Sequence, residues 1–205
     1  AQPIAHGIVN TPPEVIECFD ADWHRKEFAP HEGSALIWCN KNGRERFAHF
    51  IDRAKPGVIA ATRKGVRFVN EGNSYHDFVQ ALLAAGETHA WLVTDHRAIR
   101  AYGLGFVKPR PLPLAPHLKS GYLLSGATVA ELAQRAGIDA ALAATVERYN
   151  EAAKLGSDPD FRKGENAYNR FYGDPDIKPN PCVAPLAQAP FYAVRVEIGD
   201  LGTYA

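Results

Sequence analysis

The sequence has few of the features that mark membrane, nucleic-acid-binding or disulfide-rich proteins. Its 205 residues carry 23 basic and 23 acidic side chains, so the formal charge is zero and no basic stripe predicts a nucleic-acid surface. No apolar run reaches the roughly 20 residues that a membrane-spanning helix needs. The three cysteines, Cys18, Cys39 and Cys182, show no CxxC spacing. They favour buried thiols over a disulfide framework and predict a cytoplasmic protein.

Methionine is missing altogether, and the chain begins with alanine. A complete soluble protein of this length would ordinarily contain several methionines, including the first residue. We therefore expect residues 1–205 to be a single domain taken from a longer protein. Hydrophobic residues make up 46% of the chain, which is enough for this domain to build a core of its own.

The patterns that are present predict an α+β fold. Residues 89–94 and 192–197 have the composition of strands, and helical patterns begin near Ser74, Thr128 and Asp139. Strands and helices do not alternate in a βαβ rhythm. We therefore expect a β-hairpin and short strands packed with several helices, and no doubly wound parallel sheet.

Three further segments are predicted to be irregular. Four prolines between residues 108 and 120 predict an extended loop. The Asp-Pro and Pro-Asn pairs of residues 157–190 predict a series of turns. The Asp95-His96-Arg97 run is predicted to be a loop that follows a strand, because no nucleophile stands in an elbow motif that could use it.

The segment from residue 57 to residue 83 carries the most specific local pattern. Residues 58–62 and 66–69 are β-branched runs, and Arg63-Lys64-Gly65 between them predicts a β-hairpin. The turn-forming residues 70–73 end the second run. A strand near 192–197 is expected to lie close to this hairpin.

A helix is predicted directly after this turn. Ser74 occupies the N-cap position, Asp77 stands three residues later as the partner of a capping box, and Gly86 ends the pattern. Tyr75 and His76 then fall on the first turn of the helix. Side chains that can exchange protons are thereby held on a rigid support.

Three motifs follow one another from about residue 47 to the end of the chain. They are Gly65-x-Arg67-Phe68-x-Asn70-Glu71, then 158–161 with 173–175 and 178–182, and finally 190–193 leading to 199–203. In order and rough spacing they resemble the substrate-side, or capping, domain of FAD-dependent oxidoreductases of the fumarate reductase and succinate dehydrogenase flavoprotein family. The resemblance implies FAD as the cofactor and an FAD-binding domain of the same protein as the partner of this domain.

A dinucleotide-binding turn is not found in the sequence. Such a turn needs a glycine-rich loop between a strand and a helix, so that backbone amides approach the pyrophosphate. Gly103-Leu104-Gly105 is the sole candidate, and prolines 109 and 111 forbid the helix that should follow. We therefore expect FAD to be bound mainly by a domain outside residues 1–205.

Two positions distinguish branches of this family. Fumarate reductases carry an arginine four residues after the Asn-Glu pair, where this chain has Tyr75. They also carry a histidine before the late threonine, where this chain has Gly202 before Thr203. The resemblance is closest to the 3-oxosteroid dehydrogenase branch, in which a tyrosine takes part in removing a ring proton. It implies a bulky, apolar ketone as the substrate.

Five residues are candidates for the active site of such an enzyme. The resemblance makes Tyr75 the catalytic residue and implies that His76, Arg53, Gly202 and Thr203 bind substrate. A phenol has a pKa near 10 and becomes a competent base when a cation or a helix N-terminus stabilises the tyrosinate. Arg53 could supply that charge, and so could Arg67. A tyrosine on the first turn of an amphipathic helix can also serve only in packing.

Two other readings of the sequence stay open. The same domain could belong to a fumarate reductase-like enzyme for a small unsaturated acid, or it could be a freestanding binding module without catalysis. A metal site is not expected, because none of the eight histidines stands in an HExxH or other helix-spaced pair.

Overall fold

In the computed structural model, residues 17–18, 34–39 and 46–200 are described. The described strands belong to one sheet, in which every pair is antiparallel. They are β1 (Glu17–Cys18), β2 (Ser34–Cys39), β3 (Arg46–Ala48), β4 (Val58–Ala61), β5 (His89–Asp95), β6 (Leu124–Gly126) and β7 (Phe191–Asp200).

The ten-residue strand β7 lies at the centre of the sheet. The strand order is β3-β2-β7-β5-β4, and β1 and β6 also pair with β7. Strand β5 pairs with β7 from His89 opposite Glu197 to Asp95 opposite Phe191. An antiparallel sheet packed with helices gives an α+β fold, as expected. Residues 192–197 do not pair with β4, because β5 lies between them.

Helices cover both faces of this sheet. The described helices are α1 (Tyr75–Ala84), α2 (His96–Tyr102), α3 (Ala115–Ser120), α4 (Val129–Ala136), α5 (Ala141–Ala153) and α6 (Ala167–Tyr172). Alternate residues of each strand point to opposite faces. One face therefore buries residues such as Ala60 and Leu92 with α1, and the other buries Ile59 and Val93 with α4 and α5.

The predicted helix starts are confirmed by their hydrogen bonds. The Ser74 hydroxyl accepts from the Asp77 N–H at 3.1 Å, and the Thr128 hydroxyl accepts from the Glu131 N–H at 3.1 Å. Asp139 accepts from the Ala141 N–H at 2.8 Å, one residue before the N-cap of α5. These bonds satisfy amides that the first turn of a helix leaves unpaired.

The predicted β-hairpin is wrong in its second half. Residues 58–61 form β4, but residues 66–69 form no strand. Side chains satisfy the outer edge of β4 instead. Glu71 accepts from the Ala60 N–H at 3.0 Å, and the Lys163 ammonium donates to the Val58 carbonyl at 2.6 Å. A second hairpin strand would have to displace both.

Three segments predicted to be irregular contain helices. Helix α3 lies within the proline-rich segment, and its Pro116 is tolerated because the first turn has no N–H to donate within the helix. Asp95 caps α2 by accepting from the Ala98 N–H at 2.9 Å, so residues 96–97 are helical. Helix α6 interrupts the turns of residues 157–190, with Asn166 as its N-cap. Over the described residues, no helix combines the length and apolarity needed to cross a membrane.

Candidate active site

The predicted catalytic side chain lies on the first turn of α1. Tyr75 is half-buried, and its ring packs edge-to-face against Phe50 with 5.4 Å between ring centroids. His76 lies next to it, and its Nε2 is 2.9 Å from the Gln80 amide nitrogen one helical turn later. The Ser74 cap fixes the direction in which this turn enters the helix.

Arg53 lies behind this turn and is 1% exposed. Its Nε donates to the His49 carbonyl at 2.6 Å, and its Nη1 donates to the carbonyls of Glu71 at 2.9 Å and Asn73 at 3.1 Å. The last two carbonyls belong to the loop that leads into α1. The guanidinium thus fixes this loop from within the protein, and direct contact between Arg53 and a substrate would require the loop to move.

The charge of Arg53 lacks a close carboxylate partner in the described part of the chain. No ion pair within 4 Å involves it there, its Nη2 is buried without a hydrogen-bond partner, and its guanidinium lies 5.3 Å from the centre of the Phe78 ring. Burial lowers the pKa of Arg53. Carbonyls thus make the direct contacts to this buried cation, and the charges of Asp52, Glu71 and Asp77 act on it without a direct ion pair.

A buried carboxylate–imidazole pair precedes Arg53 along the chain. His49 Nδ1 lies 2.5 Å from Asp52 Oδ2, which also accepts from the Gly105 N–H at 3.0 Å. Burial by itself raises the pKa of Asp52. His49 and Arg53 lower this pKa by more, so the net shift is downward. His49 Nε2 and Asp52 Oδ1 are buried without partners. These bonds hold the turn from which Arg53 projects.

Arg67 and Glu71 form a second buried network, away from the first turn of α1. Arg67 Nη2 donates to Glu71 Oε2 at 2.7 Å, and Arg67 Nη1 donates to Asp158 Oδ1 at 2.7 Å. The guanidinium also lies 4.9 Å from the centres of the Tyr149 and Phe161 rings. Arg67 therefore ties three segments together, and its charge is already paired.

The Arg67–Asp158 pair should make stability fall in acid. Burial raises the pKa of Asp158, but the hydrogen bonds and charge of Arg67 outweigh this and leave the pKa below its usual value. A lowered folded-state pKa adds stability above about pH 4 that is lost as pH falls through the folded-state pKa. We expect the free energy of unfolding to fall more steeply between pH 5 and pH 2 in the wild type than in Asp158→Asn, as measured by urea titration. Parallel pH curves would contradict this assignment.

No local pattern indicated Tyr168, which lies on the helix α6 that packs against the loop before Tyr75. Asn169, the next residue, donates to Asn73 Oδ1 at 3.0 Å and accepts from the Asn70 amide at 2.9 Å. These bonds hold α6 against the loop before α1. Burial raises the pKa of Tyr168, and the charges of Arg53 and Asp77 both act on this hydroxyl. A turn-rich sequence gave no signal for this helix.

Two predicted substrate-binding residues, Gly202 and Thr203, lie outside the described residues. Within the described ranges, no group of three or more His, Cys, Asp or Glu side chains could hold a metal ion.

At the one candidate dinucleotide turn, other atoms of the protein fill the space beside both glycines. A Cβ at Gly103 would collide with the Val107 carbonyl, and a Cβ at Gly105 would collide with the Tyr122 hydroxyl. Both of these atoms belong to the same chain and already contact the turn, so no space remains there for a ligand against its backbone. Residues 103–105 therefore do not fit the pyrophosphate of a dinucleotide such as FAD.

Two dehydrogenases of known name are similar to this chain in sequence. It is 46% identical over 171 residues to 4-oxocyclohex-2-ene-1-carboxylate 5-dehydrogenase of Sinomonas cyclohexanicum, covering 80% of this chain and 29% of that protein. It is 38% identical over 162 residues to 3-oxosteroid 1-dehydrogenase of Mycobacterium tuberculosis, covering 74% of this chain and 29% of that protein. The chain thus spans less than a third of the length of these relatives.

A solved structure shows the same fold over most of the chain. The crystal structure of 3-ketosteroid delta1-dehydrogenase from Sterolibacterium denitrificans, in complex with 1,4-androstadiene-3,17-dione, superimposes with a TM-score of 0.75 at 34% identity. The match covers 83% of this chain and 32% of that one. A flavocytochrome c3 fumarate reductase shares the fold with a TM-score of 0.56 at 23% identity.

The family assignment follows from the sequence profile that the chain matches. Residues 33–205 match the family described as FAD binding domain. Its relatives include 3-oxosteroid 1-dehydrogenases and an NADH:fumarate oxidoreductase, and FAD is the cofactor that the family implies. The chain belongs to the FAD binding domain family of flavoproteins.

Proposed function

We propose that this chain is the substrate-covering, or capping, part of an FAD-dependent dehydrogenase that removes hydrogen across a C–C bond next to a ketone. The described sheet is antiparallel, and the candidate dinucleotide turn at residues 103–105 is filled by the Val107 carbonyl and the Tyr122 hydroxyl. Neither feature provides a dinucleotide cradle. FAD is then held mainly by another part of the complete protein.

One observation carries the reaction: Tyr75 stands on a capped first turn, and the buried Arg53 holds the loop that leads into this turn. A C–H bond beside a ketone is acidic enough for a positioned base to take the proton. Tyr75 is the proton acceptor in this proposal, and a nearby cation favours the ionised form of a phenol. FAD, when bound, supplies the acceptor for the hydride.

The roles of the neighbouring residues differ in this proposal. Arg53 acts through the loop carbonyls and its charge, and it positions Tyr75 without touching the substrate. His76 lines the site, half-buried, next to Tyr75. Gly202 and Thr203 remain proposed substrate-binding residues.

The substrate class is proposed from the relatives and from Tyr75. The named relatives act on oxo compounds of one ring or of a steroid. A reductase for a small unsaturated acid is less well supported, because the first turn of α1 carries Tyr75 and no arginine.

The proposed activity can be tested with the complete protein. Purified enzyme is mixed with 4-androstene-3,17-dione or 4-oxocyclohexanecarboxylate and an artificial electron acceptor, and the products are identified by mass spectrometry. We expect loss of two hydrogen atoms from a ketone substrate. Reduction of fumarate with a reduced electron donor, without any dehydrogenation of ketones, would instead establish the alternative reaction.

The capping assignment predicts that residues 1–205 bind FAD poorly when expressed alone. The purified fragment should be colourless, because the candidate dinucleotide turn at residues 103–105 does not fit a pyrophosphate. The complete protein, purified in parallel, should be yellow. A yellow fragment with one flavin per chain, measured by visible absorbance, would contradict the assignment.

A further inference from the structure

The surface around Tyr75 exposes several large apolar side chains. Eight such side chains are exposed in the described part of the chain, and four of them come from two segments, 50–51 and 168–171. Phe50 is 39% exposed, Ile51 54%, Tyr168 43% and Phe171 80%. Helix α6, which carries the second segment, packs against the turn at Asp52–Ala54 that follows the first. A clustered apolar surface of this kind commonly marks a binding site.

This surface is continuous with the proposed proton acceptor. The Phe50 ring packs against Tyr75, and α6, which carries Tyr168, is held against the loop before Tyr75 by bonds from Asn166 and Asn169 to Asn73. The Tyr168 ring packs at 5.1 Å against Tyr172, which in turn packs at 5.0 Å against Phe171. Phe50, Tyr75, Tyr168 and Phe171 are called the aromatic rim below.

The position of Tyr168 in the rim is fixed by buried hydrogen bonds. Asn169 is fully buried, and its side chain bonds to Asn70, Asn73 and the Gly164 N–H. A second amide, that of Asn166, donates to Asn73 Oδ1 at 3.1 Å. The half-exposed ring of Tyr168 is therefore presented by a rigid support, as a specificity determinant must be.

The chemistry of the rim selects its occupant. Four aromatic rings suit a flat, apolar molecule better than a dianion. We propose that Tyr168 is a specificity-determining residue that contacts the part of the ketone substrate furthest from its carbonyl, so that the rim favours multi-ring over single-ring ketones. This inference rests on the proposed function, in which the reacting C–H bond lies at Tyr75. In this inference a single ring occupies the surface at Phe50 and Tyr75, and the further rings of a larger ketone reach Tyr168 on α6.

The test compares two ketones in the complete flavoprotein. KM and kcat are measured for 4-androstene-3,17-dione, which has four rings, and for 4-oxocyclohexanecarboxylate, which has one. Tyr168→Ser should raise KM for the four-ring ketone roughly tenfold, about 1.4 kcal/mol. KM for the single-ring ketone should stay within about twofold, and kcat for both within about threefold, because the reacting atoms are untouched.

Two further variants separate ring contact from other effects. Tyr168→Phe keeps the ring and should behave as the wild type. Leu155→Ser removes an apolar side chain that is 77% exposed, follows α5 and is not part of the rim, and it should leave both KM values unchanged. Bound FAD and the oligomeric state are measured for each variant.

Several outcomes would overturn the inference while leaving the dehydrogenase function intact. They are an unchanged KM for the four-ring ketone in Tyr168→Ser, an equal rise for both ketones, and a wild type that accepts only the single-ring ketone. Loss of FAD or of subunits in Tyr168→Ser would show that the rim packs against another part of the protein, which also overturns it. A wild type that dehydrogenates neither ketone would remove the proposed function, and the inference with it.

Discussion

Tyr75→Phe should lower turnover of the ketone by on the order of 10²–10⁴, the usual contribution of a positioned acid or base. The substitution deletes the one group of this side chain that can exchange a proton, and it preserves the ring that packs against Phe50. The fold and the flavin content should therefore survive. The measurement is kcat of the complete protein with a ketone and an artificial electron acceptor, together with its flavin spectrum.

A matched control for this variant stands at the next residue. His76→Gln removes the imidazole while leaving an amide that can reach Gln80 on the same helical face. It should lower turnover by less than about tenfold if His76 only lines the site. If Tyr75→Phe retains full activity, Tyr75 is a packing residue, and the proton acceptor must be sought at His76 or in another part of the protein.

Glu71→Ala should destabilise the fold by about 3–5 kcal/mol, since it leaves a buried arginine short of one partner. Glu71 is fully buried and serves both Arg67 and the Ala60 N–H at the edge of β4. Asp158 alone would then face the guanidinium. For a domain of about 200 residues this loss corresponds to a fall in melting temperature of roughly 6–20 °C. Thermal denaturation followed by circular dichroism would measure it.

A surface ion pair supplies the control for Glu71. Glu151 pairs with Lys154 at 2.8 Å, with side chains 75% and 59% exposed. Glu151→Gln should change stability by less than about 1 kcal/mol, because exposed pairs are screened by water and salt. Equal effects of Glu71→Ala and Glu151→Gln would mean that the buried network does not hold β4 and its neighbours together.

Local hydrogen bonds explain what could be predicted about the site. The start of α1 depends on one bond between Ser74 and Asp77, three residues apart, and that spacing is visible in the sequence. Tyr75 and His76 could therefore be placed on a first turn before any fold was known. The family could likewise be recognised from short motifs, because their residues are adjacent or nearly so.

The failed half of the hairpin shows where local reasoning stops. Residues 66–69 have the composition of a strand, yet the edge of β4 bonds instead to Glu71 and to Lys163, which is 105 residues from Val58. Propensity describes one segment at a time, whereas an edge strand accepts whichever donors and acceptors the fold brings to it.

The sequence by itself determined the α+β class, the helix caps, the alternating apolar faces of the strands and the place of Tyr75 on α1. Each of these depends on residues within about one or two turns of one another. Only the tertiary structure decided that Arg53 is buried and holds the loop before Tyr75, that Arg67 meets Asp158 across 91 residues, and that α6 packs against the same loop. Those contacts join distant segments, and they form only when both faces of the sheet are packed, so no local pattern encodes them.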